Sequence, residues 1–364
     1  MSPEREQERR DFVERSGWRS ADVVPRPGDA STRSYARVSL NGRKAMLMDQ
    51  PQAAEAPAAP VKATPEERRA LGYNAIARLA GGDTARFVAA SNYLRGLGLS
   101  APEIYAADPE AGFVLIEDLG DALYADVLTD GSGDERTLYE HAAEVLAALH
   151  AAGAPDVLHP GKALHAYDET ALLAEIDLMT EWYLPYALGR TATADEIAEH
   201  RTLWRRTLES VSEPSPVFVH RDYHAQNLLW LPERKGTARV GLIDFQDAVA
   251  GTRAYDLISL TEDARRDVPL EIADATMQRY LAVTGADPEW YKAQMAVMAA
   301  QRNAKIAGIF ARLYKRDGKP RYLSYLPRVW GHLNRDLEHP ALAALKSWYD
   351  KTIPRDRRGE ISGA

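Results

Sequence analysis

The chain has 364 residues, an apolar fraction of 45% and a formal net charge of -8. That length and apolar content supply a sizeable core and allow two or three domains, or one enzyme with two lobes. The acidic balance argues against nonspecific binding of a polyanion, and the absence of cysteine excludes disulfides, thiolate metal sites and cysteine nucleophiles.

No stretch is long and apolar enough to span a membrane. Met1 to Arg10 is charged and lacks the apolar region of a signal peptide, so the expected location is cytoplasmic. Met1 to Trp18 is expected to be helical. Val23 to Asp49 reads as a meander of three strands, with turns at Gly28-Asp29-Ala30-Ser31-Thr32 and at Asn41-Gly42. The Asn-Gly pair is a strong hairpin signal because both residues tolerate positive φ. Gln50 to Lys62 is rich in Ala and Pro and reads as a mobile loop or insertion. Thr84 to Gly96 places Phe87, Ala90, Ser91 and Leu94 at helical spacing. Ile104 to Ala107 and Phe113 to Ile116 are the next strands.

Beyond Asp121 the pattern turns helical. His141 to His150, Ala171 to Leu188 and Ile197 to Val211 read as helices. Short strands follow at Val217 to Val219, Leu228 to Leu231 and Val240 to Ile243, the last two joined by a turn at Pro232 to Ala238. Leu270 to Val283, Pro288 to Phe310 and Ala341 to Lys351 are further helices, and Ile353 to Ala364 is polar and expected to fray. A small strand-rich part before a larger helical part implies an α+β, two-lobed chain, divided at 1–118 and 119–364.

The chemistry concentrates in His220-Arg221-Asp222-Tyr223-His224-Ala225-Gln226-Asn227 and Ile243-Asp244-Phe245. His-Arg-Asp, four residues, Asn is the pattern of a kinase catalytic loop. There Asp222 is the candidate general base, able to orient a hydroxyl and take its proton. Asn227 and Asp244 offer oxygen donors suited to Mg²⁺, which would neutralise charge on ATP phosphates. His220 reads best as a group that holds the loop in shape, whereas His224 either lines the substrate cleft or caps the loop. His220, Asp222 and His224 also spell His-x-Asp-x-His, so a transition-metal site stands as an alternative. Gly28 to Arg33, with Ser31, Thr32 and Arg33, is a candidate phosphate-covering turn. Phe113 to Gly120 is an apolar strand ending in acids, where backbone groups of Glu117 and Leu119 are candidates to pair with adenine. No Gly-x-x-x-x-Gly-Lys-Ser/Thr is present, which excludes a P-loop enzyme.

These residues resemble the aminoglycoside phosphotransferase-like kinases, a branch of the protein-kinase-like fold, from about Gly28 to Leu260. In that resemblance Gly251 to Leu257 follows the metal carboxylate, and Asp256 is a buried acid that supports the catalytic loop. A narrower resemblance, carried by Gly28 to Ser31 with Tyr35, Leu47-Met48-Asp49, Glu117 to Gly120 and Ile243 to Ala248, is to the bacterial anomeric kinases of N-acetylmuramate and N-acetylglucosamine. It implies phosphorylation of the C1 hydroxyl in peptidoglycan recycling, with a sugar-1-phosphate uridylyltransferase as the partner enzyme. Two departures separate the chain from protein kinases. Met48 stands where the phosphate-binding Lys belongs, and the helix Thr84 to Gly96 has no acid to pair with one, leaving Lys44, Arg33 or Arg37 as substitutes. Gln246 replaces the Gly of Asp-Phe-Gly. His224, Asp263, Arg265 and Arg302 are candidate acceptor contacts. An aminoglycoside, choline-like or homoserine acceptor, or a nucleotide-binding pseudokinase, are the competing readings.

Overall fold

Residues 2–26, 33–51, 58–158 and 161–361 are described in the computed structural model. The expected phosphate-covering turn at 28–32, including Ser31 and Thr32, lies outside them, as do 52–57 of the expected loop. The chain divides into two compact units, Met1–His165 with His220–Val249, and Ala166–Val219 with Ala250–Ala364.

The first unit is organised by an antiparallel sheet of β1 (Asp22–Pro25), β2 (Ser34–Leu40), β3 (Arg43–Asp49), β4 (Ile104–Asp108) and β5 (Phe113–Glu117), in the order β1-β2-β3-β5-β4. The expected Asn-Gly hairpin joins β2 to β3, with Asn41 at φ 50° and Gly42 at φ 80°. Side chains alternate across a strand, and that alternation gives the sheet two different faces. One face carries Ala36, Val38, Ala45, Leu47, Phe113 and Leu115, and it packs against Phe12, Val13 and Trp18 of the N-terminal segment. Phe12 stacks on Phe113 with ring centroids 5.5 Å apart. The other face carries Tyr35, Arg37, Met46 and Ile116, with Arg37 opposite Met46 and Met46 opposite Ile116 in the ladders. A cavity opens on that second face.

The helix Thr84–Gly96 forms where its periodicity predicts, capped by the Asp83 side chain on the Ala85 N–H. Phe87, Ala90, Ser91 and Leu94 are all buried. Helices Pro65–Ala70 and Tyr124–Thr129 fall in stretches that carry no element in the sequence reading. The described ends of the expected mobile loop are fixed in place. Gln50 is buried and donates its N–H to Gly112 O at 2.9 Å, and Ala59 is buried with its N–H on Leu79 O at 3.1 Å.

The second unit is mainly helical. Its central element is the helix Pro288–Lys315, which packs on Glu169–Leu178, Ala254–Thr261 and Leu326–Asp336. The expected helix Ala171 to Leu188 is interrupted by a wider turn at Met179–Tyr183 before Leu184–Leu188. Pro185 lacks the N–H that a continuous helix would need there. The expected fraying after Ile353 is corrected by the structure for the residues up to Ile361. Ile353 is fully buried, Tyr183 Oη donates to Arg357 O at 2.8 Å, and Gly359 N–H donates to Tyr183 Oη at 2.8 Å. Arg358 is held by Asp350 at 2.8 Å and by Asn334 Oδ1 at 3.0 Å. Polar composition misled there because the charged side chains find partners instead of water.

Candidate active site

The loop beginning at His220 is shaped by contacts at nearly every residue. His220 is fully buried, edge-on to both Tyr223 and Phe245. Burial depresses its imidazole to about 4, so it is neutral at ordinary pH. Arg221 takes a left-handed backbone, φ 76°, and donates to the carbonyls of Arg78 at 2.6 Å and Ala77 at 3.3 Å. Tyr223 is buried and donates its hydroxyl to Ala142 O at 2.9 Å. With its flanking residues anchored inward, Asp222 is left only partly buried. His224 is buried, with its N–H on Asp222 O at 3.1 Å and its Nε2 3.4 Å from Asn227 Nδ2.

A hairpin then returns the chain to the loop. Leu228–Trp230 pairs antiparallel with Val240–Leu242, and Ile243 N–H donates to Asn227 O at 3.2 Å. This brings Asn227 and Asp244 together across 17 positions of sequence, with Asn227 Nδ2 2.9 Å from Asp222 O and 3.4 Å from Asp244 Oδ2. The candidate base and both candidate metal donors therefore share one place. Among the described residues no three His, Asp or Glu side chains converge to hold a metal ion, so the His-x-Asp-x-His alternative has no geometric support.

Asp244 sits at φ 66°, an uncommon conformation for a residue with a side chain. Its Oδ1 accepts from Arg33 Nη2 and from Gln246 Nε2, each at 2.8 Å. Burial alone would raise this carboxyl, but Arg33 and Gln246 outweigh it and hold it below the ordinary aspartate range. Gln246, which departs from the protein-kinase pattern, thus orients the carboxylate.

The segment after Asp244 is gripped by Phe87 and by two arginines that the sequence reading passed over. Arg86, on the helix Thr84–Gly96, donates to Gln246 O at 3.0 Å, Ala248 O at 2.5 Å and Ala163 O at 2.9 Å. Phe87 stacks on Phe245 at 4.9 Å, and Arg78 pairs with Asp247 at 2.6 Å. The helix without an acid therefore holds the segment after Asp244 through a buried arginine. The only local sign in the sequence is an Arg beside Phe87 on a helix with an apolar face.

The cavity beside these groups has a volume of about 420 Å³. Its lining includes Arg33, Tyr35, Met46, Ile116, Leu119 and Asn227, and it also reaches Glu117, Asp118, Asp121 and Asp244. Its lining thus combines apolar side chains with charged groups. The Glu117 N–H is already on Glu103 O at 2.8 Å, and its carboxylate meets Arg234 at 2.5 Å. Leu119 is nearly buried. The remaining candidates lie in the second unit. Asp256 is fully buried, Asp263 is buried with its Oδ1 on Arg265 N–H at 2.8 Å, and Arg265 is exposed. Arg302 is buried, donating to Glu262 O at 3.3 Å and Ser259 Oγ at 3.0 Å.

Residues 22–294 match the phosphotransferase enzyme family. An N-acetylmuramate/N-acetylglucosamine kinase of Caulobacter vibrioides is 44% identical over 98% of this chain and 99% of its own length. A protein of the same name from Pseudomonas aeruginosa is 34% identical, covering 90% of this chain and 89% of its own. Among solved structures, a choline/ethanolamine kinase family protein from Mesorhizobium loti superposes with a TM-score of 0.57 at 14% identity, over 94% of this chain and 98% of that one. At that identity the likeness is one of fold. No helix among the described residues is long and apolar enough to cross a membrane.

Proposed function

This chain belongs to the phosphotransferase enzyme family, and from that premise we infer that it is an ATP-dependent kinase of the anomeric C1 hydroxyl of N-acetylmuramate and N-acetylglucosamine. The observation that carries the reading is the convergence of the Asp222 loop, Asn227 and Asp244, in a chain 44% identical to a kinase named for these two sugars. Asp222 orients the C1 hydroxyl and takes its proton as the oxygen–phosphorus bond forms and ADP departs. An anomeric hydroxyl is somewhat more acidic than an ordinary alcohol, which eases that transfer.

Asn227 and Asp244 lie side by side, with Asn227 Nδ2 donating to Asp244 Oδ2; each carries a side-chain oxygen and Asp244 is held in its ionised form, so the pair fits Mg²⁺. The ion, when bound, would neutralise charge on the phosphates. His220, buried and neutral, and Asp256 serve as structural supports. Residues 1–118 are proposed to bind the nucleotide, with Ser31, Thr32, Arg33, Glu117 and Leu119 as its candidate contacts, and residues 119–364 to carry the catalytic loop and the acceptor site. Acceptor contacts are assigned to His224, Asp263, Arg265 and Arg302. The setting is cytoplasmic peptidoglycan recycling, with a sugar-1-phosphate uridylyltransferase consuming the product.

The test is incubation with ATP, Mg²⁺ and each sugar, followed by phosphorus NMR. A sugar 1-phosphate is expected. Phosphate on another hydroxyl, or turnover only with an amine or aminoglycoside acceptor, would overturn the substrate assignment.

A further inference from the structure

A kinase that lacks the strand lysine needs another cation at the nucleotide phosphates. Met48 occupies the lysine position and is fully buried opposite Val114. Three cations are candidates on the cavity lining, Arg26, Arg33 and Arg37, and Lys44 lies on the same face of β3 as Met46.

Their partners separate them. Arg37 pairs with Asp118 at 2.7 Å and Asp121 at 2.8 Å, and Arg26 pairs with Asp121 at 2.6 Å. Lys44 is exposed and acts on the same Asp121. These three cations act on the segment that follows β5, where Asp118 and Asp121 are their partners. Arg33 alone pairs with Asp244, at 2.8 Å, and its side chain is only 8% exposed. Phosphates held by a metal on Asn227 and Asp244 must lie at that end of the cavity.

We propose that Arg33 is the phosphate-binding cation of this site, releasing Asp244 to the metal and taking the nucleotide phosphates in its place. The assignment rests on the kinase reading above. Its physical basis is charge compensation. Arg33 is bonded to Asp244 Oδ1 while Oδ2 faces Asn227, so a metal ion arriving alone meets a buried guanidinium already held on the same carboxylate, and the two positive charges oppose each other. A nucleotide arriving alone meets the Asp244 charge. Metal and phosphates together satisfy both groups, because the metal takes the carboxylate and the phosphates take the guanidinium. Arg33 thereby couples metal binding to nucleotide binding.

The experiment compares wild type, Arg33→Met and Arg33→Lys by calorimetry with MgADP and with adenosine, and by electron paramagnetic resonance with Mn²⁺ alone. In Arg33→Met, MgADP should bind about 10- to 100-fold more weakly, the loss expected for charge-assisted phosphate contacts. Adenosine affinity should be unchanged, which also reports an intact fold. Mn²⁺ alone should bind more tightly than in wild type, because its carboxylate no longer has a competitor. Arg33→Lys should recover part of the MgADP affinity, since it keeps the charge without the planar fork. Equal MgADP affinity in wild type and Arg33→Met, or an equal loss for adenosine, or weaker Mn²⁺ binding, would overturn the assignment. Wild type that binds neither nucleotide would overturn the kinase reading together with it.

Discussion

Arg86→Met removes the strut beneath the segment that follows Asp244 while keeping most of the side-chain stem. Three hydrogen bonds are lost, to Gln246 O, Ala248 O and Ala163 O. Bonds from a charged donor contribute about 1.5–3 kcal/mol each. Their sum is offset because burial disfavours the Arg86 charge and lowers its guanidinium from the ordinary value. The variant leaves three backbone carbonyls without this donor, at about 1–3 kcal/mol for each that stays unsatisfied, so a net loss of about 2–4 kcal/mol is expected. The functional consequence falls on Asp244, which holds a left-handed backbone two residues before Gln246. Without the strut, Asp244 should lose its alignment with Asn227, and half-saturating Mg²⁺ for turnover should rise by about tenfold, or 1.4 kcal/mol. Urea denaturation and a Mg²⁺ titration of initial rates measure the two effects. A variant within about 1 kcal/mol of wild type, with an unchanged Mg²⁺ requirement, would refute the argument that this helix holds the metal segment.

Two buried imidazoles give a pH prediction. His220 is depressed to about 4 and His200 to about 3, both through burial. The unfolded chain therefore binds protons that the folded chain refuses, so stability is full above about 6.5 and falls with acidification toward those values. Each should cost about 1.4 kcal/mol per pH unit inside that window, and thermal melts from pH 7.5 to 5 should show the loss; equal melting temperatures would contradict it. Gly308→Ala tests packing in the second unit. A methyl there would lie 2.5 Å from the backbone of Leu178, so a loss of about 1–3 kcal/mol is expected, and an unchanged melting temperature would mean that the two helices separate freely.

The convergence of Asp222, Asn227 and Asp244 was legible because their spacing is local. His220 to Asn227 is one continuous loop, and a short hairpin delivers Asp244. The sheet was legible because Val38, Ala45 and Leu47 alternate with polar or cavity-facing neighbours, and because Asn41-Gly42 announces its own turn. The stabilising partners of the site were not legible. Arg86 and Arg78 look like ordinary surface arginines in sequence, and only the fold brings them to Gln246 and Asp247. The helix Leu326–Asp336 was missed although Leu326, Val329, Trp330 and Leu333 are buried at helical spacing. The short helix Pro65–Ala70 has a capping box at Thr64 and Glu67 that announces it. The tail beyond Ile353 was misjudged because its polarity is satisfied by Tyr183, Asn334 and Asp350. Composition does not encode such pairing.

The central claim is that Asp222 accepts the proton of the sugar hydroxyl while Asn227 and Asp244 serve the nucleotide end of the site. Its most direct test is single-turnover phosphoryl transfer by Asp222→Asn, with MgADP affinity measured on the same protein. The account predicts a loss of about 10²- to 10⁴-fold in rate, the range of a general base, with MgADP affinity unchanged. A rate near that of wild type would contradict it.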